Sequence, residues 1–214
     1  VAAIDFGDII SDITFSQDGA LLIATSAGEN AHISYWAVGE WSSTHIVPSS
    51  ATSLAVSPAG GILATGNIVM GSGGPAVKIF DLSTWQPTGL FGLAAQPNKV
   101  YVGMASDVAF SRDGRYLACI VNDEPRLWDL SNNTEVSLER LVLAEPPLQI
   151  EFAEEGSLML LLTSAGVSIL DPAEGSVLGT LEKPLAQSMA VDSANDVVAI
   201  RSRTSPVEIW HFSR

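Results

Sequence analysis

Five polar residues occupy one position of a pattern that recurs along the chain, three residues before an apolar residue that closes a predicted strand. They are Asp12, Ser53, Asp107, Gln149 and Ser188. If the repeats close into a ring, these side chains meet at the mouth of a central channel. Asp12 and Asp107 would then resemble the carboxylate pair of glycoside hydrolysis, or offer oxygen ligands to a cation. The alternative, which the pattern favours, is that each side chain closes a structural hydrogen bond.

Other patterns that carry chemistry are missing from the sequence. It contains no Gly-x-Ser-x-Gly, Gly-x-x-x-x-Gly-Lys or His-Glu-x-x-His motif. His32, His45 and His211 fall at different positions of the repeats, so a shared metal ion is not expected. Cys119 is the single cysteine and lies between apolar residues, which is typical of a buried, unreactive thiol. We therefore predict no enzyme activity, no metal site and no cofactor.

The elements that must position these residues are repeats of about 40 residues. An apolar residue followed by a tight polar turn recurs at residues 15–19, 56–60, 110–114, 152–156 and 191–195. Further along each repeat comes a β-rich run, at residues 33–37, 77–81, 125–129, 167–171 and 207–211. Another apolar run lies between the two landmarks, and a weaker one follows the second. Four short strands per repeat, joined by turns, predict an all-β protein built from the blades of a β-propeller.

One repeat carries a specific family pattern. Residues 107–118 read Asp-Val-Ala-Phe-Ser-Arg-Asp-Gly-Arg-Tyr-Leu-Ala, and residues 127–130 read Leu-Trp-Asp-Leu. This repeat resembles the WD repeat, and the chain resembles a WD-repeat β-propeller over essentially its whole length. The family's Gly-His pair is absent and Trp128-Asp129 is the only Trp-Asp pair. The family's buried network of His, Ser or Thr, Asp and Trp is therefore expected to be missing or replaced in most blades.

The resemblance implies one domain spanning residues 1–214. The expected blades are approximately residues 8–49, 50–103, 104–145, 146–184, and 185–214 completed by 1–7. In this arrangement the N-terminal strand supplies the missing fourth strand of the last blade and removes an exposed sheet edge. The alternative is that the chain is a fragment of a larger propeller. The resemblance also implies a rigid platform for protein partners, with no chemistry of its own.

The net charge of the chain limits the classes of partner that it is expected to bind. The chain has 24 acidic and 10 basic residues, a net charge of −14, and no Lys or Arg before Lys78. Nucleic acids and anionic membranes require basic surface, so neither is expected as a partner. A basic peptide or protein would be attracted, although the acidity could serve solubility alone. No apolar run is long enough to span a bilayer. Without a targeting segment, a cytoplasmic location is expected.

The second repeat departs from the pattern through two insertions, at residues 67–75 and 94–103. Both are predicted to be loops that emerge as neighbours on one face of the propeller. They carry apolar residues that a surface loop does not require, and loops of a rigid repeat are where binding residues concentrate. The predicted partner-binding residues are Ile68, Val69, Met70, Asn98, Lys99, Val100 and Tyr101. The alternative is that they fold back to cap the blade. Trp41 and Trp85 form a minor second candidate patch.

Two functions follow from these patterns. The first is a non-catalytic scaffold that presents a loop-rich face to a protein or peptide, as part of a larger polypeptide or complex. The second is a propeller that binds a small molecule or ion, or hydrolyses a substrate, through the polar residues at the channel mouth. Because few aromatic residues are free to line a channel, the sequence favours the scaffold.

Overall fold

A computed structural model describes most of the chain. It covers residues 6, 9–26, 31–41, 45–49, 51–71, 76–91, 101–139, 141–192, 195 and 197–211, with the backbone alone at 69–71, 90–91, 101–103 and 155. The described residues form antiparallel β-sheets, with no α-helix among them. The chain divides into two compact units, Val1–Val108 and Ala109–Arg214. The all-β prediction is therefore confirmed.

The first unit contains two four-stranded antiparallel arrays and the start of a third. Its strands are β1 (Ile10–Phe15), β2 (Leu21–Ser26), β3 (His32–Ala37), β4 (His45–Pro48), β5 (Ala51–Val56), β6 (Ile62–Gly71), β7 (Val77–Asp81), β8 (Pro87–Phe91) and β9 (Tyr101–Phe110). In each array the strands pair in chain order, β1 to β4 and β5 to β8. Strand β9 crosses the boundary between the units. Ile23, Ile33, Leu63 and Phe80 form the centre of this unit's core.

The second unit repeats the same scheme. Its strands are β10 (Tyr116–Val121), β11 (Glu124–Asp129), β12 (Thr134–Val136), β13 (Pro147–Ala153), β14 (Leu158–Thr163), β15 (Gly166–Asp171), β16 (Ser176–Glu182), β17 (Ala186–Asp192), β18 (Val197–Ser202) and β19 (Glu208–His211). A 3₁₀ turn, Glu154–Gly156, joins β13 to β14. The last sheet has three described strands, β17, β18 and β19. Residues 1–7, predicted to complete that sheet, lie outside the described residues except for Phe6.

In two of the recurring turns, a serine hydroxyl bonds the aspartate two residues later. In the first turn, the Ser16 hydroxyl donates to Asp18 Oδ1 at 2.6 Å, and Gly19 has a φ of 68°. Ser111 and Asp113 repeat the bond at 2.5 Å. The positive φ explains the glycine at this position, because a side chain there is strained. These Ser and Asp residues therefore form turns.

The second landmark of the repeat places a large apolar residue against the core. Trp36, Phe80, Trp128 and Leu170 are buried, whereas Trp210 in the three-stranded sheet is 37% exposed. Asp129, next to Trp128, accepts two hydrogen bonds from Arg115, at 3.0 and 2.7 Å. These bonds, followed by those from Ser131, lower the pKa of Asp129 to about 2. In this repeat an arginine therefore binds the aspartate of the Trp-Asp pair.

Candidate functional site

The five predicted channel-mouth residues lie on the first strand of each repeat, β1, β5, β9, β13 and β17, and four of them share a backbone irregularity. The register shifts between Ile10 and Asp12 in β1 and between Ala51 and Ser53 in β5. It shifts again just before Gln149 in β13 and just before Ser188 in β17. Each shift is a β-bulge, which inserts an extra residue and changes the direction of the neighbouring side chains. The polar position of the repeat therefore marks the first residue after a bulge.

Asp12 joins two neighbouring sheets. Its Oδ1 accepts a hydrogen bond from the Ile13 amide at 2.8 Å, and its Oδ2 accepts one from the Leu54 amide at 2.7 Å. Leu54 belongs to β5, the first strand of the next sheet. Both carboxylate oxygens are thus bonded to backbone N–H groups. This arrangement favours a structural anchor over an acid, a base or a metal ligand.

Gln149 makes the equivalent connection in the second unit. Its Nε2 donates to the Met189 carbonyl at 3.0 Å, and its Oε1 accepts from the Met189 amide at 2.9 Å. A side-chain amide can satisfy a backbone donor and acceptor at once, so this pair holds β13 against β17. Gln149 Nε2 also lies 3.2 Å from Glu151 Oε1. Burial raises the pKa of Glu151, and the Gln149 bond partly offsets that effect.

The contacts given for the other three positions differ from one another. Ser53 Oγ is buried with no hydrogen-bond partner there. Asp107 Oδ1 accepts a bond from the Val108 amide at 3.1 Å, and no side-chain bond is recorded for the Ser188 hydroxyl in the described part of the chain. No group of three or more His, Cys, Asp or Glu residues there could hold a metal ion. Of the five residues, Asp12 and Gln149 thus bond strands of successive repeats, and the ring of polar side chains stays a prediction.

The two insertions of the second repeat were predicted to be loops, and this was wrong for their described parts. Strand β6 continues to Gly71, and β9 begins at Tyr101. The two strands pair antiparallel, with Ile68 opposite Met104 and Gly71 opposite Tyr101. We call these paired segments, residues 68–71 and 101–104, the ribbon. The expectation that the insertions are neighbours is confirmed by this pairing. Sequence reasoning missed the strands because glycines at both insertions indicated flexible turns.

The predicted partner-binding residues are only partly visible in the ribbon. The Ile68 side chain is partly buried. Only the backbone is described for Val69, Met70 and Tyr101. Asn98, Lys99 and Val100 lie outside the described residues. Met104, which was not predicted, is 47% exposed and faces Ile68 across the pairing.

In the predicted patch of Trp41 and Trp85, the Trp85 ring packs against another aromatic ring. Trp85 stacks on Tyr35 with ring centroids 3.8 Å apart, and Tyr35 stacks on His45 at 4.7 Å. Trp85 has a φ of 55°, a strained value for a bulky residue. The stack joins the first sheet to the turn after β7. Trp41 is partly buried. His45 therefore has a ring contact, as expected for a structural histidine.

Glu151 is a titratable residue that sequence reasoning missed. The sequence could have identified it, because the residues at the same position of the other repeats are Thr14, Ala55, Ala109 and Ala190. A glutamate among small residues is an exception to the repeat. Its single described hydrogen bond leads to Gln149, so the carboxyl supports the inter-strand anchor.

Comparison with known proteins supports the fold alone. No family model matches the chain, and no curated protein matches it. Among solved structures, the chain is similar to Kuenenia stuttgartiensis hydrazine synthase, with a TM-score of 0.66 and 15% identity, over 88% of this chain and 54% of that one. At this identity the likeness carries no activity, because one fold supports many functions. With 1089 solved chains matching, the architecture is common, and function has to be argued from the site.

Proposed function

We propose that this chain is a non-catalytic interaction module that binds a protein or peptide through the ribbon. The single observation that carries the proposal is the pairing of β6 with β9 beyond the pairing of β6 with β7. The β6–β7 register runs from Ile62 to Gly66, and the ribbon continues from Ile68. Beyond the β6–β7 pairing, the ribbon carries Met104, whose side chain is 47% exposed, and an exposed apolar side chain supports a contact surface.

Composition supports a contact surface at the ribbon. Its eight residues read Ile-Val-Met-Gly and Tyr-Val-Gly-Met, with no charge among them. Charged residues are depleted at the centre of protein interfaces, where Tyr and Met are enriched. The net charge of −14 favours a partner with basic groups around its contact surface.

The repeat supports a β-propeller as the arrangement that presents the ribbon. Five groups of strands follow one another, and each described group pairs in chain order. We propose that these are five blades of a WD-repeat-like propeller, with the N-terminal strand completing the last. The chain is then one module of a larger polypeptide or complex. Within the described residues, no helix is long and apolar enough to cross a membrane.

The alternative is a small-molecule, ion or hydrolytic site at the channel mouth. It rests on Asp12 and Asp107, since a carboxylate pair is the simplest acid and base. The bonds from Ile13 and Leu54 to Asp12 weigh against it. Both carboxylate oxygens of Asp12 are occupied by backbone N–H groups, which leaves the side chain as a structural acceptor.

Site-specific photo-crosslinking tests the proposal. A benzophenone amino acid is placed at Met104, or at Val38 as the matched control, because the two are equally exposed at 47% and 45%. Both proteins are incubated with extract from the native source and irradiated. We expect a discrete crosslinked protein from position 104 and none from position 38.

Two results would overturn the interaction module. One is the absence of any crosslink from position 104 at several protein concentrations. The other is the same crosslinked species from both positions, which would indicate contact without a site.

A further inference from the structure

We propose a second binding site, in the second unit, for a peptide segment that carries a carboxylate next to an apolar side chain. The site is a surface cavity of about 410 Å³ lined by Leu148, Ser164, Leu185, Ala186, Gln187 and Arg203. We call it the bulge pocket. Its volume falls in the range typical of ligand sites. It shares no residue with the ribbon, so it extends the proposed function to a different surface.

Two lining residues are placed by β-bulges. Leu148 is the extra residue between Pro147 and Gln149, and Gln187 is the extra residue between Ala186 and Ser188. The corresponding extra residues in the first unit are Ser11 and Thr52. Leu148 is thus the apolar member of a polar set, and it is 46% exposed. A bulge that directs an apolar side chain outward is a device found at binding sites.

Leu185 adds an apolar group held under backbone strain. Its φ is 59°, and its side chain is 49% exposed. Glycine suits this conformation far better than leucine. Because the Leu185 side chain is half exposed, its burial does little to offset the backbone strain. Such strained residues concentrate at ligand sites.

The loop that holds Leu185 is fixed on both sides. The Leu185 carbonyl accepts a hydrogen bond from the Arg203 amide at 3.1 Å, and the Ala186 amide donates to the Ser164 carbonyl at 3.3 Å. The Lys183 amide donates to the Ala165 carbonyl at 2.8 Å. These bonds connect the loops that follow β14, β16 and β18. The pocket wall is therefore preformed, which lowers the entropic cost of binding.

Charge defines the ligand. Lys183 is buried and paired with Glu208, so its charge is compensated. Arg203 is exposed and has no ion-pair partner among the described residues. In a chain with 24 acidic and 10 basic residues, Arg203 places a positive charge beside two exposed leucines that line the same cavity. Arginine binds carboxylates with two parallel hydrogen bonds, so an Asp or Glu next to a Leu, Ile or Phe matches the pocket.

Peptide selection tests the assignment. A displayed heptapeptide library is selected on the immobilised full chain, and enriched sequences are synthesised with a fluorescent label for anisotropy titration. We expect enriched peptides to contain Asp or Glu beside a large apolar residue. Leu185→Gly should weaken their binding about tenfold or more, because a leucine contact is lost. Its thermal midpoint should stay equal or rise, because glycine accepts the positive φ.

The role of the Arg203 charge is tested by a matched pair of variants. Arg203→Glu should abolish binding of the selected peptides, and a peptide with Lys in place of the acidic residue should restore it. Arg201→Glu makes the same charge change at an exposed residue outside the pocket lining and should leave binding within about twofold. A Met104→Gln variant should also bind normally, which separates this site from the ribbon.

Three outcomes overturn the proposal. One is the enrichment of no peptide. Another is enrichment of peptides that bind the Leu185→Gly and Arg203→Glu variants as tightly as the wild type. The third is an equal loss of binding in Arg203→Glu and Arg201→Glu, which would show a response to overall charge instead of a pocket.

Discussion

The bulges in β1 and β13 and the ribbon both depart from regular strand pairing, but with different consequences. At the bulges, Asp12 bonds the backbone of β5 and Gln149 bonds the backbone of β17. In the ribbon, β6 and β9 continue as paired strands with apolar residues and no charge. The first departure satisfies groups inside the protein. In our proposal the second provides a surface for a partner. We infer that the bulge residues stabilise the fold and that the ribbon binds.

The largest expected effect on stability comes from Gln149→Ala. This change removes the two hydrogen bonds to Met189, whose amide and carbonyl lose their partner, and the bond to Glu151. At about 1 kcal/mol per bond, the free energy of unfolding should fall by about 3 kcal/mol. Ser188→Ala, at the same position of the next repeat, should change it by less than about 0.5 kcal/mol. Urea denaturation of both variants measures the contrast, and equal losses would refute the anchor role of Gln149.

Asp12→Asn should have a smaller effect. The amide keeps one oxygen acceptor, so one of the bonds to Ile13 and Leu54 is lost and a charged acceptor becomes neutral. We expect a loss of about 1 kcal/mol in the free energy of unfolding. Any activity or ligand carried by a catalytic Asp12 would instead be lost at unchanged stability. The same denaturation experiment distinguishes the two.

Glu151→Gln should increase stability at neutral pH. Burial raises the pKa of Glu151 in the folded state, so the folded protein holds this proton more tightly than the unfolded chain does. The wild-type protein therefore loses stability as pH rises from the ordinary carboxyl pKa through the folded-state value. The glutamine keeps an oxygen for Gln149 and does not ionise. Denaturation from pH 4 to pH 8 should show the gain growing with pH; a gain independent of pH would exclude this mechanism.

The smallest effect is expected at Ser53, the position in β5 where the anchor is absent. Its hydroxyl is buried without a partner in the described part of the chain. Removing an unsatisfied buried group relieves a desolvation cost, so Ser53→Ala should be neutral or stabilising by up to about 1 kcal/mol. A loss above about 1 kcal/mol would mean that Ser53 makes a contact equivalent to that of Gln149.

The sequence predicted the regular strands well, because their apolar runs and turns follow a simple period. The β-rich runs predicted at residues 77–81 and 167–171 form β7 and lie within β15. Bulges were not predictable, because a bulge depends on pairing between strands. The polar residues that follow the bulges were found as a pattern. The backbone groups that they bond on β5 and β17 were not predicted.

The ribbon and the bulge pocket were also not predictable, because both depend on contacts between segments distant in sequence. Glycines near residue 71 indicated a turn, and only the long-range pairing of β6 with β9 makes that segment a strand. Leu148, Leu185 and Arg203 are distant in sequence, and hydrogen bonds between loops bring Leu185 and Arg203 together. Side-chain placement that depends on several loops at once leaves no local sequence signal.

The most direct test compares variants of the ribbon and of the bulge in β13 in one experiment. Wild type, Met104→Gln and Gln149→Ala are used to capture partners from the native source, and each captured protein is quantified by mass spectrometry alongside the variant's urea midpoint. We predict that Met104→Gln keeps the midpoint and loses a stoichiometric partner, whereas Gln149→Ala lowers the midpoint and, under conditions where it is folded, keeps that partner. If Gln149→Ala loses the partner while folded and Met104→Gln keeps it, the channel mouth is the site and the account is wrong.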